Sequence, residues 1–126
     1  MGLIYTTIQL RNPKNITKSS LEVKASADSG ALHLCISEHI ALQLDLEVLE
    51  KREVTIADGS KKLVNYVGPL EVQFENRKCF TGALVLGDEV LLGEIPMEDM
   101  DLVLLPSLRK VSVNPQNPNI AVSIVK

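Results

Sequence analysis

The feature that most constrains the fold of this chain is a side-chain alternation with a period of two residues, which recurs in many short segments. Residues 21–27, Leu-Glu-Val-Lys-Ala-Ser-Ala, alternate apolar with polar side chains, and residues 3–10 are rich in β-branched and aromatic types. Such segments are typical of strands that bury one face. Many short strands at regular spacing predict an all-β barrel or sandwich with one or two short helices.

Two short helices are predicted from their first residues. Ser37 is suited to cap a helix at residues 38–44, because its hydroxyl can accept a hydrogen bond from a free amide of the first turn. Pro96 is predicted to begin a helical turn at residues 96–101, since proline fits the first helical position.

Turn residues divide the rest of the chain into strands and hairpins. Residues 52–67 predict a hairpin with Asp58 and Gly59 at its tip, because Asp-Gly is a strong hairpin-turn signal. Residues 75–78 predict the turn of a second hairpin. The other predicted strands lie at residues 32–36, 68–74, 79–87, 89–96 with a break at Gly93, 102–105, 109–113 and 119–126.

Size and charge limit the classes of function. A chain of 126 residues fits one domain, which we assign to residues 1–126. A net charge of −3 and an aromatic content of 3% argue against a nucleic-acid surface. Even the apolar run at residues 102–105 is too short to span a bilayer, and the N-terminus does not resemble a secretory signal. We therefore expect a cytoplasmic protein without nucleic-acid or membrane partners, in which Cys35 and Cys79 are buried thiols.

Several kinds of site are excluded by spacing. His33 and His39, with Cys35 between them, match no zinc-binding spacing. The glycines are scattered and form no phosphate-binding loop. Ser29 is not a nucleophile-elbow serine, because Ala27 stands where that motif needs glycine. The sequence predicts neither a metal nor a cofactor.

Asp28 is the residue on which the functional interpretation depends. It follows the strand at residues 21–27 and directly precedes Ser29, Gly30 and Ala31. One interpretation is a turn, since Asp, Ser and Gly are ordinary turn residues. The other is a catalytic carboxylate, for which this chain offers no second copy of the motif.

Three features in order resemble the retropepsin-type aspartic proteases, especially the small prokaryotic relatives of the retroviral enzymes. They are Asp-Ser-Gly-Ala at residues 28–31, the hairpin around residues 58–59, and Leu-Leu-Gly at residues 91–93. That family carries Asp-(Thr/Ser)-Gly-Ala after its second strand, a hairpin flap, and a hydrophobic-hydrophobic-Gly motif before a short helix. The resemblance covers about residues 3–113 and implies a closed-barrel acid-protease fold.

The resemblance also implies roles for individual residues. Asp28 is the catalytic carboxylate, and its partner is Asp28 of a second copy, since an isologous dimer repeats each residue across its axis. Ser29 hydrogen-bonds across the dimer, and Gly30 lets the backbone approach the substrate. The support of the catalytic loop includes Ala31, Leu91, Leu92 and Gly93, and the flap tip that covers substrate includes Ala57, Asp58 and Gly59.

Two functions from different classes follow. The first is a homodimeric aspartic endopeptidase that acts on a peptide or protein substrate, with residues 119–125 at the dimer interface. The alternative is a dimerisation or peptide-binding module with little or no proteolysis. It is motivated by the charged flap and by Leu32, His33 and Glu94, which replace two acidic residues and an arginine of the retroviral enzymes. An unrelated small β-barrel that binds a partner is a third interpretation.

Overall fold

The computed structural model describes residues 3–125, and strands dominate it. Within that range the chain forms nine strands, two α-helices and one 3₁₀ turn. The strands are β1 (Ile4–Arg11), β2 (Leu21–Ala27), β3 (Leu34–Ile36), β4 (Glu47–Thr55), β5 (Lys61–Phe74), β6 (Arg77–Val85), β7 (Val90–Leu92), β8 (Leu102–Leu105) and β9 (Lys110–Val113). The helices are α1 (Glu38–Gln43) and α2 (Glu94–Asp99), and the 3₁₀ turn spans Pro106–Leu108.

Six of the strands form a closed barrel. They follow one another in the order β1, β2, β7, β3, β6 and β5, and β5 also pairs with β1, which closes the ring. Strand β4 pairs with β5 outside this ring, while β8 and β9 form a separate two-stranded sheet. The prediction of an all-β closed barrel with one or two short helices is confirmed, and the helices number two within residues 3–125.

Two parallel pairings determine where the candidate site forms. Strand β2 runs parallel to β7, with Ala27 opposite Leu92, and β3 runs parallel to β6. Because parallel strands end at the same edge of a sheet, the residues that follow β2 and β7 become neighbours. Those residues are Asp28 and Gly93.

Aliphatic side chains fill the barrel. Leu10, Leu34 and Leu92 are completely buried, and Phe74 is the one phenylalanine in this cluster. Burying a leucine contributes about 1.5–3 kcal/mol relative to leaving it in water, so the barrel is stabilised mainly by aliphatic burial. Cys35 and Cys79 are buried and unpaired, as predicted. Burial, with a smaller contribution from Asp99, raises the pKa of the Cys79 thiol to about 12.

The two helices test the capping predictions. Ser37 caps α1, because its hydroxyl oxygen accepts a hydrogen bond from the Ile40 amide at 3.3 Å. The prediction that Pro96 begins the second helix is wrong, since α2 begins at Glu94 after Gly93. Pro96 is the third helical residue, and its missing N–H costs nothing there because the first four helical amides have no intrahelical acceptor.

The flap hairpin and the second hairpin share one long strand. Strand β5 continues through the predicted boundary at Gly68, where its pairing with β6 shifts register between Val67 and Leu70. The first half of β4 was not predicted, because residues 47–51 are all exposed and their charges obscure the alternation. The turn of the second hairpin is shorter than predicted, since β6 already begins at Arg77.

The tail differs from its predicted form. Residues 119–125 form no strand within the described chain, because no strand of the same chain lies beside them to complete a ladder. The Asp101 carboxylate holds the start of the tail. It accepts hydrogen bonds from the side-chain amide of Asn117 at 2.8 Å and from the backbone N–H of Val122 at 3.1 Å. Residues 1, 2 and 126, which the domain assignment includes, lie outside the described residues.

Candidate active site

The Asp28 loop is shaped by backbone hydrogen bonds. The Asp28 N–H donates to the Leu92 carbonyl at 3.1 Å, which continues the parallel pairing one residue beyond β2. The Ala31 N–H donates back to the Asp28 carbonyl at 3.1 Å and closes a tight turn. These bonds fix the point at which the Asp28 side chain leaves the barrel.

One oxygen of the Asp28 carboxylate is used in this turn. Its Oδ1 accepts a hydrogen bond from the Gly30 N–H at 2.8 Å. This is the bond that the turn interpretation of Asp28 requires. Yet the side chain is exposed, and within residues 3–125 its Oδ2 accepts no hydrogen bond. A carboxylate oriented by one oxygen and open at the other is also suited to hold a water molecule.

Gly93 lies against the backbone that follows Asp28. A Cβ at this position would lie 2.8 Å from the His33 nitrogen and 2.7 Å from the Leu32 carbonyl carbon, and would overlap the His33 oxygen. The next amide, of Glu94, donates to the Ala31 carbonyl at 2.8 Å. Gly93 has an ordinary extended conformation, with φ −84°, so glycine is needed here for space.

Leu91 and Leu92 face opposite sides of β7. Leu92 is fully buried in the barrel core. Leu91 is half-buried and packs against a second apolar cluster, whose buried members are Cys35, Val64 and Leu84. The structure thus brings Asp28–Ala31 and Leu91–Gly93 together at one end of the barrel.

A groove opens beside the Asp28 loop. Its volume is about 480 Å³. Asp28, Ser29 and Gly30 lie on one side, and residues from the start of β1, the end of β2, the end of β8 and the segment after β8 form the rest. These other lining residues include Leu3, Ile4, Leu104, Pro106 and Arg109.

The flap tip is exposed and is held by its own turn. The Asp58 carboxylate accepts hydrogen bonds from the Ser60 N–H at 2.8 Å and the Ser60 hydroxyl at 2.6 Å. These bonds hold the pKa of Asp58 below its usual range. Gly59 has φ +87°, a conformation that favours glycine. Ala57, Asp58 and Gly59 share no hydrogen bond with the Asp28 loop in the described chain.

Comparison with known proteins establishes the fold. No known family profile matches the sequence, and no curated protein sequence matches it. The retroviral protease-like domain of Ddi1 from Leishmania major superimposes with a TM-score of 0.60 over 91% of this chain and 90% of its own, at 13% identity. This chain has the retropepsin-like fold. The simian foamy virus (mac) protease aligns over 73% of this chain and 91% of its own, at 20% identity with a TM-score of 0.47.

Within this retropepsin-like fold, three residues at the base of the flap form a cluster that the sequence interpretation missed. The guanidinium carbon of Arg52 lies 3.7 Å from the centre of the Tyr66 ring. The His33 ring meets Tyr66 edge-on, with centroids 6.3 Å apart. Burial, followed by the charge of Arg52, lowers the pKa of His33. No local pattern marks these residues as neighbours, because Arg52 and Tyr66 share a face only through the register of β4 with β5.

The structure adds two findings on metals and membranes. Residues 3–125 contain no group of three or more His, Cys, Asp or Glu side chains arranged to hold a metal ion. Among the same residues, no helix combines the length and apolar character that a membrane crossing requires.

Proposed function

We propose that this chain is a homodimeric aspartic endopeptidase, in which Asp28 of each copy supplies one carboxylate. The observation that carries the proposal is the Asp28 carboxylate itself. It is exposed at the end of the barrel, oriented by the Gly30 amide, and placed where the chain after Gly93 crosses the loop. The retropepsin-like fold supports it, since the matched Leishmania domain is described as retroviral protease-like.

The chemistry needs two carboxylates close together. Facing carboxylates do not both ionise, so the pair shares one proton. The ionised member takes a proton from a water molecule as the water oxygen attacks the peptide carbonyl carbon. The protonated member gives its proton to the carbonyl oxygen. Collapse of the resulting tetrahedral species breaks the C–N bond, and a proton from the pair goes to the amine.

A second copy of the chain supplies the second carboxylate. The sequence contains a single Asp-Ser-Gly motif, and an isologous dimer would place it twice about one axis. Exposed apolar residues support such an interface. They include Leu3 beside the groove, at 64% exposure, and Ile124 and Val125 in the tail, at 90% each. We assign residues 119–125 to this interface, because an apolar segment without a partner favours aggregation.

The substrate is an extended peptide held between the Asp28 loop and the flap. Leu91 and Tyr66 are half-buried members of the second apolar cluster, so part of their surface is open to a substrate side chain. The tip residues Ala57, Asp58 and Gly59 would close over the peptide backbone and exclude water.

The test compares the parent protein with Asp28→Asn on an unstructured protein substrate between pH 3 and pH 7. We expect the substitution to lower the cleavage rate by more than about a thousandfold, because an amide supplies neither base nor acid. Asp45→Asn is the matched control, since Asp45 is exposed after α1 and its φ of +54° suits asparagine. Equal cleavage by the parent and Asp28→Asn would sink the proposal.

A peptide-binding module is the second candidate. Leu32 is 55% exposed beside the catalytic loop, where the retroviral enzymes place an acidic residue. This candidate predicts that neither the parent nor Asp28→Asn cleaves the substrate, although both bind peptides equally well.

A further inference from the structure

The pairing register shows which residues of the flap hairpin face the cleft. Arg52 pairs with Val64 and Glu50 pairs with Tyr66 across strands β4 and β5. Directly paired residues of an antiparallel ladder project from the same face. Val64 and Tyr66 belong to the apolar cluster that also contains Leu91 of β7. Arg52 therefore lies on the face of the hairpin that is turned toward β7, whose last residue, Leu92, accepts a hydrogen bond from the Asp28 N–H.

Tyr66 gives this face a fixed platform. Its ring occupies the space above Gly82, where an added Cβ would lie 2.5 Å from the ring carbon Cε2. Arg52 stacks on the ring at 3.7 Å, and His33 meets its edge. A cation stacked on a tyrosine face is held in orientation without its hydrogen-bond donors being consumed. We call His33, Arg52 and Tyr66 the basic column.

The guanidinium of Arg52, which carries the charge of the basic column, is accessible to a ligand. Glu50 accepts one hydrogen bond from Arg52 Nε at 2.7 Å, but the two side chains are 36% and 55% exposed. Such an exposed pair is weak, and the guanidinium has further N–H groups that match a carboxylate. Because burial lowers the pKa of His33, its ring is mostly neutral near pH 7 and still offers one N–H.

The chain geometry places the basic column near the reacting bond. His33 follows Asp28 by five residues, which span at most about 17 Å of chain. The loop between them turns back on itself, since the Ala31 amide bonds to the Asp28 carbonyl. An extended substrate advances about 3.3 Å per residue. A substrate side chain that reaches the basic column therefore belongs to a residue within about five positions of the cleaved bond.

We propose that His33, Arg52 and Tyr66 form a subsite that selects peptides with a carboxylate side chain, Asp or Glu, near the cleaved bond. The guanidinium of Arg52 binds the carboxylate, His33 donates a second hydrogen bond, and Tyr66 holds both groups in place. This subsite rests on the proposed function, because it is a part of the same cleft.

The experiment uses peptide pairs that differ only by Glu or Gln at one position, scanned over five positions on each side of a cleavable bond. Cleavage is measured at pH 6, where glutamate is ionised. The variant is Arg52→Gln. The matched control is Lys51→Gln, which removes the same charge from the neighbouring residue, whose side chain is on the opposite face of β4.

We expect the parent to cleave the Glu peptide about tenfold more efficiently than the Gln peptide at one position of the scan. Arg52→Gln should bring this ratio close to one, whereas Lys51→Gln should retain the preference. A parent ratio near one at every position would overturn the proposal. An unchanged ratio in Arg52→Gln would overturn it too, since Arg52 would then only stabilise the hairpin.

A binding measurement distinguishes a failure of the subsite proposal from a failure of the proposed protease function. If the parent cleaves no peptide, the protease assignment fails, and fluorescence anisotropy of the same labelled pairs then decides the subsite. Tighter binding of the Glu peptide to the parent, lost in Arg52→Gln, supports the subsite without catalysis. Equal binding of the Glu and Gln peptides to the parent would overturn the subsite proposal.

Discussion

The two sides of the candidate cleft are built in opposite ways. The floor, which we define as residues 28–31 and 91–93, is tied together by backbone hydrogen bonds and stands on the fully buried Leu92. The lid, residues 56–60, is exposed at Ala57, Asp58 and Gly59 and is held by hydrogen bonds within its own turn. Under the proposed function, such a site combines a carboxylate fixed to the barrel with a cover that is held only by its own turn.

A glycine on each side illustrates the difference. Gly93 of the floor has ordinary backbone angles, but a Cβ there would overlap neighbouring backbone atoms. Gly59 of the lid has nothing within 4 Å of such a Cβ, but its φ is +87°. The floor therefore needs glycine for packing, whereas the lid needs it for conformation.

The largest expected effect follows from this contrast. Gly93→Ala should lower the free energy of unfolding by about 3 kcal/mol, because backbone atoms of Leu32 and His33 have no alternative rotamer to make room. Gly59→Ala should cost only about 1 kcal/mol, the strain of a positive φ. Urea unfolding of both variants measures the difference, and equal losses would contradict the distinction between floor and lid.

The amide hydrogen exchange rates of the floor and the lid should also differ. The Asp28 and Glu94 amides bond across the floor to segments that pack on the barrel, whereas the Gly59 and Ser60 amides bond only within an exposed turn. The floor amides should therefore exchange at least about a hundredfold more slowly. Adding a peptide to Asp28→Asn, which would bind without cleaving it, should slow exchange at the lid. Strong protection of Gly59 and Ser60 without peptide would indicate a fixed strand in place of a lid.

The smallest expected effect concerns His33, which follows the Asp28 loop in sequence and contacts Tyr66 of β5. Its pKa is lowered in the folded state, so below its ordinary value of 6.5 the unfolded chain binds more protons than the folded one. His33 should therefore make the protein less stable as the pH falls from about 6.5 toward the lower folded pKa. His33→Gln should flatten that decline in urea titrations, and His39→Gln, on the exposed surface, should not.

Much of the fold could be predicted from the sequence, because its local signals agree with the structure. The alternation at residues 21–27 and the turn at Asp58-Gly59 are local patterns, and both elements form as predicted. The closure of the barrel depends on β1 pairing with β5, a long-range contact that no local pattern shows. The tail prediction failed within one chain, because the alternation at residues 119–125 indicates a strand without supplying its partner.

The candidate site was predictable only in part, because its residues are far apart in the sequence. Asp28 and Gly93 are 65 positions apart, and only the resemblance to retropepsin-type proteases brought them together before the structure did. The basic column was missed because His33, Arg52 and Tyr66 belong to different segments. Their proximity depends on the register of β4 with β5, which the charged first half of β4 conceals.

The central claim is that two Asp28 carboxylates meet across a dimer axis, and a crystal structure of the protein tests it most directly. We predict a two-fold dimer in which carboxylate oxygens of the two Asp28 side chains approach to about 3 Å, close enough to share a proton. Residues 119–125 should lie in the interface as paired strands. A crystal structure in which the Asp28 carboxylates of every pair of copies are more than about 8 Å apart, beyond the reach of one shared water, would contradict the account.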